Sequence, residues 1–281
     1  MEVIESVKEM KDKSLGIRRS GKNIAFVPTM GFLHEGHLSL LRTGRSRADV
    51  LVLSIFVNPT QFGPKEDYNE YPRDMEGDLS KADTSGADIV FTPSAGDMYP
   101  EGFQTSIKIE KIPQHLCGLS RPGHFEGVAT IVAKLFNIVR PHIAIFGQKD
   151  YQQLTVIHRM VTDLDMGIEI VGVPTVREPD GLAMSSRNKY LNSEERASAL
   201  CLKKSIDMAL DYAKSGERDS AIIISSIREL ILSHPFTNIE YVSICDPLTM
   251  EDKEKISGET LLALAVKVGK TRLIDNCLIK V

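Results

Sequence analysis

Two histidines three residues apart, His34 and His37, are the side chains in this sequence best suited to act on a phosphate. Neutral imidazole can hydrogen-bond a phosphate oxygen, and imidazolium can stabilise charge that develops there. Gly31 and Gly36 lie beside the pair, and glycine lets a ligand approach the backbone closely. Such a pair can also cap a helix or bind zinc, but no further ligands follow at the spacing of a structural zinc site.

The segments around the pair predict how it is positioned. The apolar run Ile24–Val27 is typical of a buried strand, and a helical pattern follows the histidines. A strand that leads through a glycine-bearing turn into a helix points backbone N–H groups and the positive end of the helix dipole at one place. That arrangement favours a bound phosphate.

Three more polar segments follow apolar runs or open helices. Gln61 comes after the run Val50–Val57, and its amide could hold a hydroxyl or a carboxylate of a small substrate. Lys149 comes after Ile143–Phe146 and offers a cation for a phosphate, although a cation at a helix start opposes the helix dipole. The loop 177–188 contains two adjacent serines and an arginine, which suit phosphate contacts. Taken alone, these segments could equally be a turn, a surface lysine and a polar linker.

Strand and helix patterns alternate through the first 175 residues, which predicts a doubly wound (Rossmann-like) parallel sheet of the α/β class. The predicted strands are Ile24–Val27, Val50–Val57, Ile89–Thr92, Ile143–Phe146 and Ile168–Val173. Helical patterns cover residues 128–139 and 151–164, and residues 121–127 indicate only a loop and a helix start. Ligands of such sheets bind beyond the carboxyl ends of the strands, where the candidate residues lie.

The last hundred residues change character. Ser193 is predicted to cap a long helix that runs toward Gly216, and a second helix covers Ser220–Leu232. The strands predicted after them, in a small antiparallel sheet, are Ile239–Cys245, Thr260–Val266 and Arg272–Ile279. We therefore predict two domains, residues 1–175 and 176–281, the second a smaller α+β domain that closes over the active site.

The composition narrows the class of protein. The chain has 281 residues, 42% of them hydrophobic, and a net charge of −4, which is ordinary for a globular protein. No basic block indicates nucleic-acid binding, and no apolar run reaches the ~18 residues of a membrane span. The N-terminus is polar and acidic, unlike a signal peptide. The four cysteines are far apart in the sequence and show no Cys-x-x-Cys spacing, which favours reduced thiols. We predict a cytoplasmic protein without nucleic-acid or membrane partners.

Five segments together resemble the pantoate–β-alanine ligase family, within the HxGH nucleotidyltransferase superfamily. They are Pro28–Gly31 with His34–His37, Ile55–Gly63, Ser120–Phe125, Phe146–Gln153 and Arg177–Arg187. The segments occur in the family's order, and the C-terminal region is similar more weakly. The resemblance implies that the carboxylate of pantoate attacks the α-phosphorus of Mg-ATP, giving pantoyl adenylate and pyrophosphate. The amine of β-alanine then displaces AMP and gives pantothenate.

The resemblance also implies roles for individual residues. ATP would contact Met30, Gly31, Phe32, Leu33, His34, Glu35, Gly36, His37, Gly147, Gln148, Lys149, Asp150, Val176, Met184, Ser185, Ser186 and Arg187. His34, His37 and Lys149 would be the catalytic residues, with His37 as a proton donor. Gln61 and Gln153 would hold pantoate, Gln61 would also border the β-alanine site, and Asn58 would be a further contact. Met184–Arg187 is placed like the phosphate-gripping loop of class I aminoacyl-tRNA synthetases.

Two further expectations come with the family. Magnesium is expected mainly on the oxygens of ATP, with Asp78 as a protein contributor. A homodimer through the N-terminal domains is implied. Two other functions stay open: a different nucleotidyltransferase of the superfamily, which would keep the nucleotide on its product, and a non-catalytic nucleotide-binding regulator.

Overall fold

The structure is a computed structural model that describes residues 1–64 and 66–281. Its contacts divide the chain into two compact units. Unit 1 comprises Met1–Ile109, Arg121–Gln148 and Val156–Pro174. Unit 2 comprises Glu110–Ser120, Lys149–Thr155 and Thr175–Val281, so that two short stretches before residue 175 belong with the C-terminal part of the chain.

A parallel sheet forms the centre of unit 1. Its strands in the described residues are β1 (Glu2–Ile4), β2 (Ile24–Thr29), β3 (Val50–Ile55), β4 (Ile89–Phe91), β5 (Ile143–Gly147) and β6 (Glu169–Val173). They lie in the order β1–β4–β3–β2–β5–β6, and every pairing is parallel. The strand order changes direction between β2 and β5, which confirms the predicted doubly wound α/β sheet.

The predicted strands are confirmed. Strands β2, β3, β4 and β5 consist mostly of buried residues, whereas only Val173 is buried in β6. Phe26, Leu53 and Ile145 are each fully buried in the sheet. Strand β1 was not predicted, since it has three residues and only Ile4 among them is buried. A strand this short carries no readable periodicity.

Helices cover the sheet. The helices before residue 175 are α1 (Val7–Arg19), α2 (Glu35–Arg45), α3 (Met75–Thr84), α4 (Ala95–Met98), α5 (Cys117–Ser120), α6 (His124–Val139) and α7 (Tyr151–Asp163), of which α5 and the start of α7 belong to unit 2. Helix α6 packs on the sheet through Phe136, whose ring contacts Phe26 and Phe146 edge-on. Helix α2 buries Leu40 and Leu41 in a cluster with residues of β2 and β3.

Unit 2 contains an antiparallel sheet covered by helices. The strands are β7 (Thr237–Cys245), β8 (Glu259–Val268) and β9 (Thr271–Lys280), paired in that order. The helices after residue 175 are α8 (Ser193–Ala199), α9 (Cys201–Lys214) and α10 (Ser220–Leu232). Ile206, Ile227 and Leu264 belong to one buried core that joins the helices to the sheet. The predicted small antiparallel sheet is confirmed.

The prediction of one long helix capped by Ser193 was wrong in two respects. The N-cap is Asn192, whose side chain accepts the N–H groups of Glu194 and Glu195 while the Glu195 carboxylate accepts the N–H of Asn192. This reciprocal capping box satisfies more helix donors than a serine cap one residue later. The helix is also interrupted at Leu200, which separates α8 from α9.

Candidate active site

Three of the predicted segments begin at neighbouring strand ends in unit 1. Strand β2 pairs with β3 on one side and with β5 on the other. Residues 30–37 follow β2, the 3₁₀ turn Pro59–Gln61 follows β3, and Gln148 follows β5. The carboxyl edge of the sheet at the β2–β5 switch is where ligands of this fold class bind. The sheet therefore gathers part of the predicted site.

The loop after β2 rests on a buried carboxylate. Gly31 has φ +83° and Phe32 has φ +50°, and a Cβ on Gly31 would lie 2.9 Å from Asp78 Oδ2. The N–H of Phe32 donates to Asp78 Oδ2 (2.7 Å) and that of Leu33 to Oδ1 (2.6 Å). Burial raises the pKa of Asp78, although these two amides oppose the shift. Asp78, predicted as a metal contact, thus uses both oxygens to support the loop.

Five of the backbone N–H groups in this stretch donate to acceptors within the protein itself. Besides the two on Asp78, the N–H of Gly31 donates to Thr29 Oγ1 (3.2 Å). The N–H of Gly36 donates to His34 Nδ1 (3.2 Å), and that of His34 to His37 Nδ1 (3.3 Å). The expectation that these N–H groups point at a phosphate was wrong, because each already has an acceptor inside the protein.

The two histidines form a capping pair at the start of α2. His34 is the N-cap residue, and each ring accepts a backbone N–H through Nδ1. A ring nitrogen that accepts must be unprotonated, so the proton of each neutral ring is on Nε2. The ring centroids are 4.1 Å apart with an interplanar angle of 31°. The N-terminal cap of α2 therefore also fixes two adjacent imidazoles in the Nε2–H tautomer.

The side chain of Gln61 lies against this loop. Gln61 is 9% exposed, and its Nε2 lies 3.0 Å from the sulfur of Met30. Asn58, which is 1% exposed, donates from Nδ2 to Gln61 Oε1 (3.1 Å). The residue predicted to hold pantoate and the first residue predicted to contact ATP are thus in direct contact.

The main chain of Gln61 is held from the other side. The Gln61 carbonyl oxygen accepts from Arg121 Nη2 (3.3 Å) and lies 2.8 Å from His124 Nδ1. Arg121 donates from Nη1 to His124 Nε2 (3.0 Å), so the ring proton of His124 is on Nδ1 and is donated to Gln61. Glu66 accepts a bidentate ion pair from Arg121. Burial opposes ionisation of Glu66, but hydrogen bonding and charge from Arg121 outweigh it and lower the pKa of this carboxyl.

Unit 2 carries the predicted residues that follow Gln148. Lys149 lies in a 3₁₀ turn before α7, its Nζ is 3.5 Å from Asp150 Oδ2, and its carbonyl accepts from Asn276 Nδ2 (2.8 Å). The adjacent glutamines differ in role. Gln152 is buried and binds backbone groups of the segment 112–117, whereas Gln153, predicted to hold pantoate, is only half-buried.

The predicted phosphate loop is anchored at its base. Val176 accepts the N–H of Met184 (2.9 Å), and Arg177 forms a β-bridge with Ala183. The guanidinium of Arg177 donates to both oxygens of the buried Asp275 (2.6 and 3.0 Å), so it is committed to the fold. The Met184–Arg187 segment therefore extends from a rigid turn.

Two further features of the described residues concern metal binding and membrane-spanning helices. Among residues 1–64 and 66–281, no group of three or more His, Cys, Asp or Glu side chains is arranged to hold a metal ion. The zinc alternative for His34 and His37 thus lacks a third ligand there. In the same part of the chain, no helix is both long and apolar enough to cross a membrane.

Comparison with known proteins decides the family. The sequence model described as pantoate-beta-alanine ligase matches residues 2–278. The chain belongs to the pantoate–β-alanine ligase family. The pantothenate synthetase of Desulfatibacillum aliphaticivorans is 59% identical over 98% of both chains, and that of Geobacter sulfurreducens 57% identical over 99% of both.

Solved structures of the same family have this fold. The pantothenate synthetase of Thermus thermophilus superposes with a TM-score of 0.94 at 42% identity, covering 99% of each chain. A pantoate-beta-alanine ligase from Francisella tularensis, complexed with a βγ ATP and β-alanine, gives 0.81 at 34% identity, covering 99% of this chain and 97% of that one. The predicted family, fold and ligase function are confirmed.

Four side chains of this ligase's site were missed from the sequence. Arg121 and His124 hold the carbonyl of Gln61, Glu66 pairs with Arg121, and Tyr99 donates to Asn58 (2.7 Å). Arg121 and His124 lie in a segment that resembles the family, but on its own that segment reads as a loop. The family match was the signal that could have identified Arg121 and His124 as site residues. The sequence pattern alone does not show that Arg121 binds the carbonyl of Gln61, which lies 60 residues earlier.

Proposed function

We propose that this ligase condenses (R)-pantoate with β-alanine at the expense of ATP, through a pantoyl-adenylate intermediate. The Francisella relative crystallised with a βγ ATP and β-alanine supports the choice of substrates. The observation that carries the proposal is the contact of Gln61 Nε2 with Met30 Sδ, 3.0 Å apart, in the loop that leads to the histidine pair. This contact places the Gln61 amide, which suits a hydroxy acid, against the loop that carries the His34 and His37 imidazoles, which suit a phosphate.

In the first step, a carboxylate oxygen of pantoate attacks the α-phosphorus of ATP. A new P–O bond forms, the bond to the bridging oxygen breaks, and pyrophosphate leaves with that electron pair. His34 and His37 present Nε2–H donors to the phosphate oxygens, and His37, predicted as the proton donor, acts through the hydrogen bond that its Nε2–H donates. Lys149 adds a positive charge. Stabilising charge as it develops is the main work such a site has to do.

In the second step, the amine of β-alanine attacks the acyl carbon of the adenylate. The C–N bond forms, the amine gives up a proton to solvent, and the bond from the tetrahedral carbon to the phosphate oxygen breaks as AMP leaves with that electron pair. Gln61 and Gln153 hold the pantoyl group during both steps, and Gln61 also borders the amine substrate. Holding the two reactants in line supplies much of the acceleration.

The other predicted contacts keep their roles in this proposal. Gly147, Gln148 and Asp150 contact ATP, Val176 meets the adenosine through its backbone, and Met184–Arg187 grips the phosphates. Residues 1–175 act as the nucleotide- and pantoate-binding domain, and residues 176–281 close over the active site. The β-bridge between Arg177 and Ala183 anchors the base of the Met184–Arg187 loop, which supports a loop that moves as one piece.

Three further features complete the proposal. Mg²⁺ would enter on the oxygens of ATP and would neutralise part of the triphosphate charge. Asp78, whose two oxygens accept the N–H groups of Phe32 and Leu33, would be the protein contributor. The protein acts in the cytoplasm and as a homodimer. Sedimentation equilibrium tests the dimer, and a monomer mass at micromolar protein would refute it.

The test of the function is isotope exchange between pyrophosphate and ATP. Exchange is expected only when pantoate is present, because the first step is reversible only with the acid bound. Pantothenate and AMP are expected in equal amounts once β-alanine is added. A product that retains the nucleotide would identify a different nucleotidyltransferase, and absence of exchange would identify a non-catalytic nucleotide binder.

A further inference from the structure

The side-chain amide of Gln61 can present either of two ends to a substrate, and the surrounding residues decide which. The Gly127 carbonyl is an acceptor only, and it receives Asn58 Nδ2 at 3.2 Å. The same Nδ2 donates to Gln61 Oε1 at 3.1 Å. Gln61 therefore has its oxygen engaged by Asn58, and its Nε2, on Met30, is the end that carries N–H donors.

The oxygen of Asn58 is fixed in turn. Asn58 Oδ1 accepts from the Tyr99 hydroxyl at 2.7 Å, from Thr60 Oγ1 at 3.0 Å and from the Thr60 N–H at 3.4 Å. The Tyr99 hydroxyl makes the shortest of these contacts. Because Asn58 is 1% exposed, water cannot replace a donor that is lost.

Tyr99 is itself held firmly enough to act as an anchor. Its ring packs edge-on against Phe103 at 5.1 Å between centroids and lies 6.5 Å from Phe56. The Lys134 ammonium lies 5.5 Å from the centre of the same ring. Burial raises the pKa of Tyr99, so that its hydroxyl keeps its proton as a donor.

We propose that Tyr99 is a positioning residue for the acid substrate: through Asn58 it holds the Gln61 amide so that N–H donors, not the carbonyl, are offered to the substrate. The proposal rests on the proposed role of Gln61 in pantoate binding. It assigns Gln61 to an oxygen acceptor of the substrate, such as a carboxylate or hydroxyl, and not to an ammonium group.

The first experiment is Tyr99→Phe, which keeps the ring and removes only the hydroxyl. We expect the pantoate KM to rise about three- to tenfold, the size of one lost hydrogen bond. The KM for ATP is expected to stay within about twofold of wild type, because its proposed contacts do not pass through Asn58. The β-alanine KM is expected to rise less than the pantoate KM, because Gln61 only borders the proposed β-alanine site. Tyr212→Phe is the matched control: it removes a hydroxyl bonded to Ser226 (3.0 Å) in unit 2 and should leave all three KM values unchanged.

The second experiment tests whether Tyr99 acts through Gln61. In a Gln61→Ala background, Tyr99→Phe should add nothing to the pantoate KM, since the amide it orients is gone. Should Tyr99→Phe fold poorly, Thr60→Val gives a second check. It removes the other hydroxyl on Asn58 Oδ1 together with its 3.1 Å contact to the Tyr99 hydroxyl, and a smaller rise in the pantoate KM is expected. Equal changes in all three KM values, or additive effects with Gln61→Ala, would overturn the positioning role. A wild-type protein without pantoate-dependent exchange would instead remove the proposed function itself.

Discussion

Gly127 offers a direct test of how Gln61, the side chain proposed to bind pantoate, is placed. It lies in the first turn of α6, and a Cβ there would sit 2.5 Å from the Thr60 carbonyl oxygen and 2.8 Å from the Gln61 nitrogen. Cβ atoms do not approach neighbours closer than 3.0 Å, so Gly127→Ala must push this turn away by about half an ångström. The neighbour is backbone, which cannot rotate aside as a side chain can.

The size of the effect follows from that displacement. Overpacking of this kind lowers the free energy of unfolding by about 1–3 kcal/mol, against a gain in helix propensity of about 1 kcal/mol. The same shift moves Gln61 and stretches the Asn58–Gly127 hydrogen bond, which is 3.2 Å long. Misplacement by about 1 Å can cost about 10²-fold in rate, so we expect kcat/KM for pantoate to fall by at least about tenfold.

The assay combines unfolding in urea with pantoate-dependent exchange of pyrophosphate into ATP. Gly16→Ala is the matched control, because Gly16 is an exposed helical glycine with no atom within 4 Å of its Cβ position. That control should gain about 0.5–1 kcal/mol and keep its kinetics. If Gly127→Ala matched Gly16→Ala in both its stability in urea and its exchange rate, the close approach of α6 to the turn would not be what places Gln61.

The remaining predictions concern single side chains. His37→Ala and Lys149→Ala should each slow adenylation by at least about 10²-fold, and near-normal exchange in either variant would remove that residue from the mechanism. Gln61→Ala should act mainly on pantoate, so an unchanged pantoate KM would contradict its role. The pKa of Glu66 is lowered from 4.5 in the fold, so its pairing with Arg121 contributes stability that is present above pH 4.5 and is lost as the pH falls through the folded pKa. Wild type should therefore lose more stability than Glu66→Gln between about pH 5 and pH 3. Parallel pH profiles of urea unfolding would refute that pairing.

The parts of the fold that the sequence predicted are those with a strong local pattern. The central strands are continuous apolar runs because both of their faces are covered, and such runs are legible without a structure. Strand β1 has one buried residue, and the break at Leu200 involves neither proline nor glycine. The cap at Asn192 was legible in principle, because Glu195 stands three residues later, but an adjacent serine offered an equally plausible cap.

The candidate site divides in the same way. His34, His37 and Gln61 stand beside strand ends and glycines, so the sequence marks them. Tyr99 is 41 residues from Asn58, and its hydroxyl becomes relevant only once the sheet brings the two segments together. For Asp78 the sequence suggested a role that the structure changes. A carboxylate suggests a metal ligand, and only the structure shows that Asp78 accepts two backbone N–H groups.

The use of the backbone in the loop 31–37 has a consequence for how the enzyme holds a triphosphate. In a glycine-rich phosphate loop the main-chain N–H groups do the binding, and no one side chain is essential to it. Here the N–H groups of Gly31, Phe32, Leu33, His34 and Gly36 are all directed to acceptors within the protein. In the proposed mechanism, phosphate contacts in this loop therefore fall mainly to the Nε2–H groups of His34 and His37. This is why removing one imidazole should cost so much: little main-chain donor capacity is left nearby to take its place.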